Sequence, residues 1–578
     1  MCQANIIKSN SIKILSMKAV LGTLLLLFMN FSFANTQVTY ALGIPDPLLT
    51  WTTLNYKGKI IHPISGNSPA SWQVAVGTGV NAYYIDNVHK KATDKNNEFG
   101  SPQRPRRTIP EITYEAGSYV EIHGGPYTGG GQLILGANGT PGKPVWIRGV
   151  SADKKALITG TTILKGQYIF LENLRYTEQS KTLQLRTHNG SSLHHVVIRN
   201  SVFSGSGHAT GNGSAIAIYG GSVTQRFHDI IIYNNQISYL GNSYSDVSPE
   251  SGNAPENDKH GILVRSNTDR VWILNNSIHH MGGDSVQVGV ASIKDSDRVK
   301  NTFIGGNDFY DNLENAVDVK EADDTIVSTN KMRNWIQHKD NSSTGVAVVI
   351  HNAAKNTWLI NNRIKNASIG ITVTGGSLDT WIVGNIIEKI QHSSWDKSWN
   401  AQSLYSTGAG IHFRGGSSGG AVNNTIVNTD KGIEMTTGSY TIINNIVALR
   451  REKEAYDLQV ESTKSNNMIS NNIIYAPHYD VNFKNIDCQY CLYSPPNFIG
   501  AQYVLGNVSV SVAAGAPIQF LQDKFYSQYG QHLNKDIALN QRVLGGIDIG
   551  AYENTSSTQD GSHVALPNAP VIANIDIE

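Results

Sequence analysis

Cysteine is nearly missing from this 578-residue chain, which holds three: Cys2, near the start, and the pair Cys488 and Cys491. One C-x-x-C cannot supply the four ligands of a structural zinc site, and the βαβ setting of a redox motif is absent, so a small local disulfide is expected. An excess of one charge is also missing. The formal net charge is +1, which argues against a nucleic-acid-coating role and leaves any anionic ligand to local cations. Long apolar runs are missing except from Ala19 to Met29, which follows Met17-Lys18 and precedes Ser32-Phe33-Ala34. That run is too short to span a bilayer, and its basic, apolar and small-residue order matches a secretory leader cleaved after Ala34, with Met17 a candidate start. The mature protein is therefore expected to be secreted or periplasmic, soluble and monomeric, with no membrane span.

What the chain does have is a repeat. From about Val196 to Tyr475 a short β-branched run ends in Asn-Asn or Gly-Asn and a second short run follows, as in Ile230-Ile231-Ile232-Tyr233-Asn234-Asn235 and Trp358-Leu359-Ile360-Asn361-Asn362. The corner asparagine recurs at Asn235, Asn276, Asn307, Asn330, Asn362, Asn385, Asn424, Asn445 and Asn472, at spacings of 21 to 41 residues. Strands this short cannot bury a core alone, whereas coiling parallel strands rung upon rung lets each cover the next. Asn-Gly or Asp-Gly hairpin turns do not recur at the short, regular spacing of an antiparallel propeller or sandwich. The expected fold is all-β, a right-handed parallel β-helix, with an N-terminal cap over residues 35–120, the helix over 121–500 and a C-terminal segment and tail over 501–578. A corner asparagine suits a turn that visits the left-handed region, and stacked amides can hydrogen-bond along the axis.

Two repeats are swollen by polar insertions, Gly241 to Asp258 and Gln391 to Gly408. Insertions on one flank of a solenoid commonly wall a groove. The second carries Trp395, Trp399 and Tyr405, suited either to stack on sugar rings or to pin the loop.

Alternation along the second strand of each unit predicts a register. Ile262/Val264, Val286/Val288, Val317/Val319, Val348/Ile350, Ile371/Val373, Ile411/Phe413 and Ile433/Met435 point inward. One outward column then runs Leu263, Gln287, Asp318, Val349, Thr372, His412, Glu434, and the next Arg265, Gly289, Lys320, His351, Thr374, Arg414, Thr436. Cations, histidines and Asp318 on one face suit an acidic polysaccharide. A uronate can be cleaved without water when a base removes the proton α to its carboxylate, the carboxylate is neutralised and the glycosidic oxygen leaves. Lys320 is the candidate base, its pKa expected to be lowered by Arg265 or a protonated His351. Arg265 and Arg414 are candidate neutralisers, and His351 and His412 candidate assistants. Lys259, His260, Gln287, Trp395 and Trp399 are candidate substrate contacts. Asp258, Asp284 and Asp318 fall in or near successive strands and could hold calcium, or simply cap turns, since no compact D-x-D-x-D loop is present. A hydrolase or epimerase on the same fold remains open, with Asp318 and Glu434 as the carboxylate pair, and so does a binding protein without activity.

The repeated strand-Asn units, the run Tyr83-Tyr84-Ile85-Asp86 with Arg106-Arg107-Thr108-Ile109-Pro110, and the closing Gly546-Ile547-Asp548-Ile549-Gly550-Ala551-Tyr552-Glu553 resemble the pectate-lyase-like superfamily of secreted β-helix proteins. Val317-Asp318-Val319-Lys320 is similar to the strand that carries the lysine base in polysaccharide lyase family nine. That resemblance implies a calcium-binding aspartate cluster one rung earlier, where Asp284 matches one member and His279-His280-Met281-Gly282-Gly283 replaces further acids. A weaker similarity runs to the alginate and chondroitin lyases of family six, which follow their lysine with an arginine about one rung on; His351 stands there in this chain.

Overall fold

The computed structural model describes residues 41–554 apart from 52–54, 57–58, 61, 65–70, 151–153, 178–180, 188–191, 206–211, 242–257, 336–337, 339–344, 393–406, 450–455, 461–466, 476–487, 508 and 543–545. The expected leader and most of both insertions, with Trp395, Trp399 and Tyr405, lie outside the described residues. Among those described, no helix is long and apolar enough to cross a membrane.

Each coil contributes three short strands. Lys259–Val264, Thr268–Leu274 and Ser277–Met281 make one turn; Val286–Val288, Val299–Gly305 and Asp308–Tyr310 make the next, each pairing in parallel with its predecessor. The result is a parallel β-helix with three faces, here called the first, second and third sheets in that order. The third runs unbroken through 12 strands from Ala156–Thr159 to Ile473–Tyr475. Parallel pairing begins earlier than expected, at Ala82–Asp86 with Tyr119–His123, so part of the 35–120 segment is already coil.

The first sheet pairs in the register that alternation implies, Val286 on Val317 on Val348 on Ile371 on Ile411 on Ile433. The inward residues of both columns are all at most 1% exposed, and burying each stabilises by about 1.5–3 kcal/mol against leaving it in water. β-Branched side chains suit these columns because they pack well on a pleated surface.

The corner between the second and third sheets is an amide ladder. Asn362 Nδ2 donates to Asn385 Oδ1 at 2.9 Å, Asn385 to Asn424 at 2.9 Å, and the chain of bonds continues from Asn235 to Asn472. Backbone N–H groups join it, as Asn330 N donates to Asn362 Oδ1 at 3.0 Å. The left-handed residue is the one before each ladder asparagine: Asn234, Asn275, Gly306, Thr329, Asn361, Gly384, Asn423, Asn444 and Asn471. The turn and the ladder therefore use different residues of the Asn-Asn pair.

Cys488 and Cys491 form a disulfide. The C-terminal segment returns to the second sheet, where helix Gln519–Tyr529 sets Phe525 edge-on to Trp358 at 4.8 Å and Lys524 pairs with Asp379 at 2.8 Å. Gly530, in the left-handed conformation, ends this helix.

Candidate active site

Strand Val317–Lys320 sits mid-way along the first sheet. Alternation turns Asp318 and Lys320 to the same outer face, and Lys320 pairs directly with His351 of the next strand. Lys320 Nζ lies 2.7 Å from Asp318 Oδ2, and His351 Nε2 lies 2.8 Å from Asp318 Oδ1. Asp318 is buried, while Lys320 and His351 are each about a quarter exposed, with side-chain exposures of 25% and 24%. A lysine, a carboxylate and an imidazole thus form one hydrogen-bonded line.

Toward the starts of this strand and the two before it stands a second group. His260, Asp284 and Glu314 bring one ligand atom each to within 4.8 Å of one another, and all three are buried. His260 Nδ1 accepts the Asp284 backbone N–H at 3.1 Å and lies 3.2 Å from Asp284 Oδ2. Asp284 Oδ1 accepts the Asn315 N–H at 3.1 Å, whereas Oδ2 is buried and accepts no hydrogen bond.

The charge balance follows from this crowding. Burial and the nearby Asp318 raise the pKa of Asp284, against the pull of His260 and Lys320. Burial, with Asp284, Asp258 and Asp318 behind it, raises Glu314 well above its ordinary value. Burial also pushes Asp318 upward, but His351 and Lys320 outweigh it and hold Asp318 below its ordinary value. For Lys320 burial works to lower the pKa and loses to the carboxylates of Asp318, Asp284 and Glu314, which raise it. The lowering expected from neighbouring cations is thus reversed. Register explains why. Arg265 is two rungs from Lys320 and Arg414 three, about 10 and 14 Å at roughly 4.8 Å per rung, while the carboxylates are adjacent.

The remaining candidates are dispersed. Arg265 is exposed, its guanidinium 5.5 Å from the Tyr219 ring. Gln287 is the neighbour of Asp318 in its column and bonds to the Gly289 carbonyl at 3.1 Å. Gly289 has φ +82°, and a Cβ there would meet the Lys320 carbonyl oxygen. Backbone geometry, rather than room for a ligand, accounts for that glycine. Lys259 is fully buried beside Gly241 and Gly283. His412 is three rungs from Asp318, buried, and lowered to about 4 by burial, which outweighs Glu434 while Arg414 and Lys431 add to the lowering. The hydrolytic pair Asp318 and Glu434 is separated by four rungs, about 19 Å, beyond the reach of paired glycosidase carboxylates.

The calcium trio is also divided. Asp318 is taken by Lys320 and His351, Asp258 Oδ2 accepts from Asn212 Nδ2 at 3.0 Å, and only Asp284 joins the ligand group. The partners that sequence reasoning missed in this role are His260 and Glu314. Both stand at or before strand starts, where turn geometry replaces alternation, so spacing carried no signal for them. Their donor set, an imidazole and two carboxylates with an orphaned buried oxygen, fits a divalent cation. An imidazole favours a borderline transition ion over calcium, which prefers oxygen throughout.

No protein-family model and no curated protein matches the chain. Among solved structures, the chain is similar to the family six alginate lyase AlyGC, at 11% identity over 76% of this chain and 56% of that one, TM-score 0.43. It is similar to the pectate lyase Pel9A at 12% identity over 83% and 98%, TM-score 0.31. It is also similar to the catalytic domain of an α-1,3-glucanase, a glycoside hydrolase, at 12% over 67% and 69%, TM-score 0.35. Both lyases and a hydrolase are among them.

Proposed function

We propose that this protein is a polysaccharide lyase that cleaves a uronic-acid-containing chain by β-elimination over strand Val317–Lys320. The observation that carries the proposal is the Lys320–Asp318–His351 line, which sets a charged donor and an oriented imidazole side by side on an accessible face. With Lys320 held as the ammonium by its carboxylate neighbours, it neutralises the substrate carboxylate and the enolate that forms from it. Asp318 accepts the Nε2–H of His351, which leaves Nδ1 to take the α-proton. The electron pair of the broken C–H bond forms the double bond, and the glycosidic oxygen departs with a proton from water.

The family resemblance supports a second division of labour, with Lys320 as base. A divalent cation held by His260, Asp284 and Glu314 would supply positive charge that offsets the carboxylates now raising Lys320. Lys320→Arg separates the two. An arginine keeps the charge but cannot serve as base, so substantial residual activity supports His351 as the proton acceptor, and activity as low as in Lys320→Ala supports the lysine.

The experiment is incubation with pectate, alginate, glycosaminoglycans and bacterial exopolysaccharides, with and without chelator, following ultraviolet absorbance of unsaturated uronates. Accumulation by wild type and its loss in Lys320→Ala supports the proposal; saturated products would overturn it. Export is part of the same proposal, and a secreted protein beginning at Asn35 would support it.

A further inference from the structure

A second histidine-carboxylate group stands on the second sheet, apart from the first-sheet site. Strands His194–Arg199, Phe227–Tyr233 and Thr268–Leu274 stack in register, His194 on His228 on Asp269. The residue after each of these takes the left-handed conformation: His195 at φ +52°, Asp229 at +55° and Arg270 at +51°. Further along, the same column is filled by Asn301, Asp324, Asn356 and Asp379, residue types that accept this backbone readily. Only toward the N-terminal end does the bend carry histidine and arginine.

The bend gathers His195, His228 and Asp229, whose ligand atoms lie within 4.8 Å of one another. His228 Nδ1 is 2.6 Å from Asp229 Oδ2, and His195 Nε2 is 3.9 Å from the same oxygen. Each has a partner that fixes it from outside. Arg270 grips Asp229 through Nε on Oδ1 and a terminal nitrogen on Oδ2, both at 2.9 Å. His194 Nδ1 lies 2.9 Å from His195 Nδ1, so a proton on the latter leaves Nε2 with its lone pair toward Asp229. The His228 ring stacks on His194 at 4.9 Å, and Tyr168 and Trp51 stand against His195 at 4.5 and 4.9 Å. Asp229 is buried while both histidines stay partly open, which leaves a route in.

We infer that His195, His228 and Asp229 form a binding site for a borderline divalent cation of the zinc class, distinct from the first-sheet group of His260, Asp284 and Glu314. The ion takes the place of the Nδ1 proton of His228: a doubly protonated ring releases that proton to solvent, a neutral ring carries its single proton on Nε2 instead, and either way a neutral imidazole ligates. Arg270 already balances the Asp229 charge, so a hard ion held by charge alone gains little here, and two imidazole nitrogens select zinc, nickel or copper over calcium or magnesium. Arg270 and His194 then serve as the outer partners that ligating groups usually have. Such an ion ties two neighbouring rungs of the second sheet and binds only the folded chain.

The test uses the full chain without a histidine tag, stripped of metal, in the Asp284→Asn background so that the first-sheet group is disabled. Equilibration with Zn²⁺ followed by metal analysis is expected to give one ion per chain, with a rise in melting temperature. Adding His228→Gln is expected to remove both. Equal zinc content with and without His228→Gln overturns the inference. Diethylpyrocarbonate labelling of the unsubstituted protein gives a readout that needs no variant. Zn²⁺ is expected to protect His195 and His228 from modification, and unchanged labelling of both contradicts the site.

Discussion

At the corner between the second and third sheets, Asn235 to Asn472 bury one amide per rung, and each amide is bonded to the next. On the first sheet Asp284, Glu314 and Asp318 are buried nearly as deeply, and there the accounts do not close. Asp318 has both a lysine and a histidine, while Asp284 keeps an oxygen without a hydrogen bond and Glu314 is driven toward its neutral form by burial and by its carboxylate neighbours. One coil thus carries two kinds of buried polar column. A neutral amide both donates and accepts, so it can satisfy a copy of itself on the next rung indefinitely. Carboxylates only accept when ionised, so stacking them builds repulsion that needs protons or cations to relieve. The first column supports the fold; the second concentrates charge at one place on it.

Substitutions should separate the columns. The largest effect is expected for Lys320→Ala, which should lower the rate of unsaturated-product formation by roughly 10²–10⁴-fold while circular dichroism stays that of the wild type. Next is Asn362→Ala at the middle of the ladder. It removes the side-chain bonds to Asn385 and to the Val327 carbonyl and strands the Asn330 backbone N–H. A stability loss of about 2–4 kcal/mol in denaturant unfolding is expected, at unchanged activity per folded molecule. An unchanged unfolding midpoint would deprive the ladder of its structural role. Asp284→Asn is expected to move that midpoint by less than about 1 kcal/mol, because it relieves repulsion in exchange for lost contacts, yet to reduce activity severalfold. A large destabilisation would mean that the first-sheet carboxylates hold the fold as the asparagines do.

The smallest effect is in the pH dependence. Asp318 is depressed in the folded state, so its contribution is present above its unfolded pKa and is lost as pH falls through the folded value. Lys320 is raised, so its contribution is present below its unfolded pKa and is lost as pH rises through the folded value. Stability from the pair should therefore be complete between about pH 4 and pH 10 and weaken on both sides. Lys320→Met should flatten the alkaline limb in a melting-temperature series, and a limb as steep as in the wild type would contradict the pairing.

Most of the first sheet was legible in the sequence because inward and outward residues alternate strictly and each rung copies the last. That placed Lys320 beside His351 and Asp318 in the neighbouring column. The corner asparagines were legible for the same reason, although spacing did not reveal that the left-handed turn belongs to the residue before each one. The charge state of Lys320 was not legible. It depends on burial and Asp318 together with Asp284 and Glu314, which enter from turns before their strands, and on the rung count that puts Arg265 and Arg414 too far away to oppose them. His195, His228 and Asp229 were missed because a backbone bend, rather than alternation, brings adjacent residues into one group.

The most direct test of the central claim is the mass of the first oligosaccharides released from a uronic-acid polymer by the purified protein. β-Elimination over Lys320, Asp318 and His351 predicts fragments lighter by one water than hydrolysis would give, with an unsaturated ring at the new non-reducing end, and none from Lys320→Ala. Fragments of full hydrolytic mass, released equally by wild type and Lys320→Ala, would contradict it.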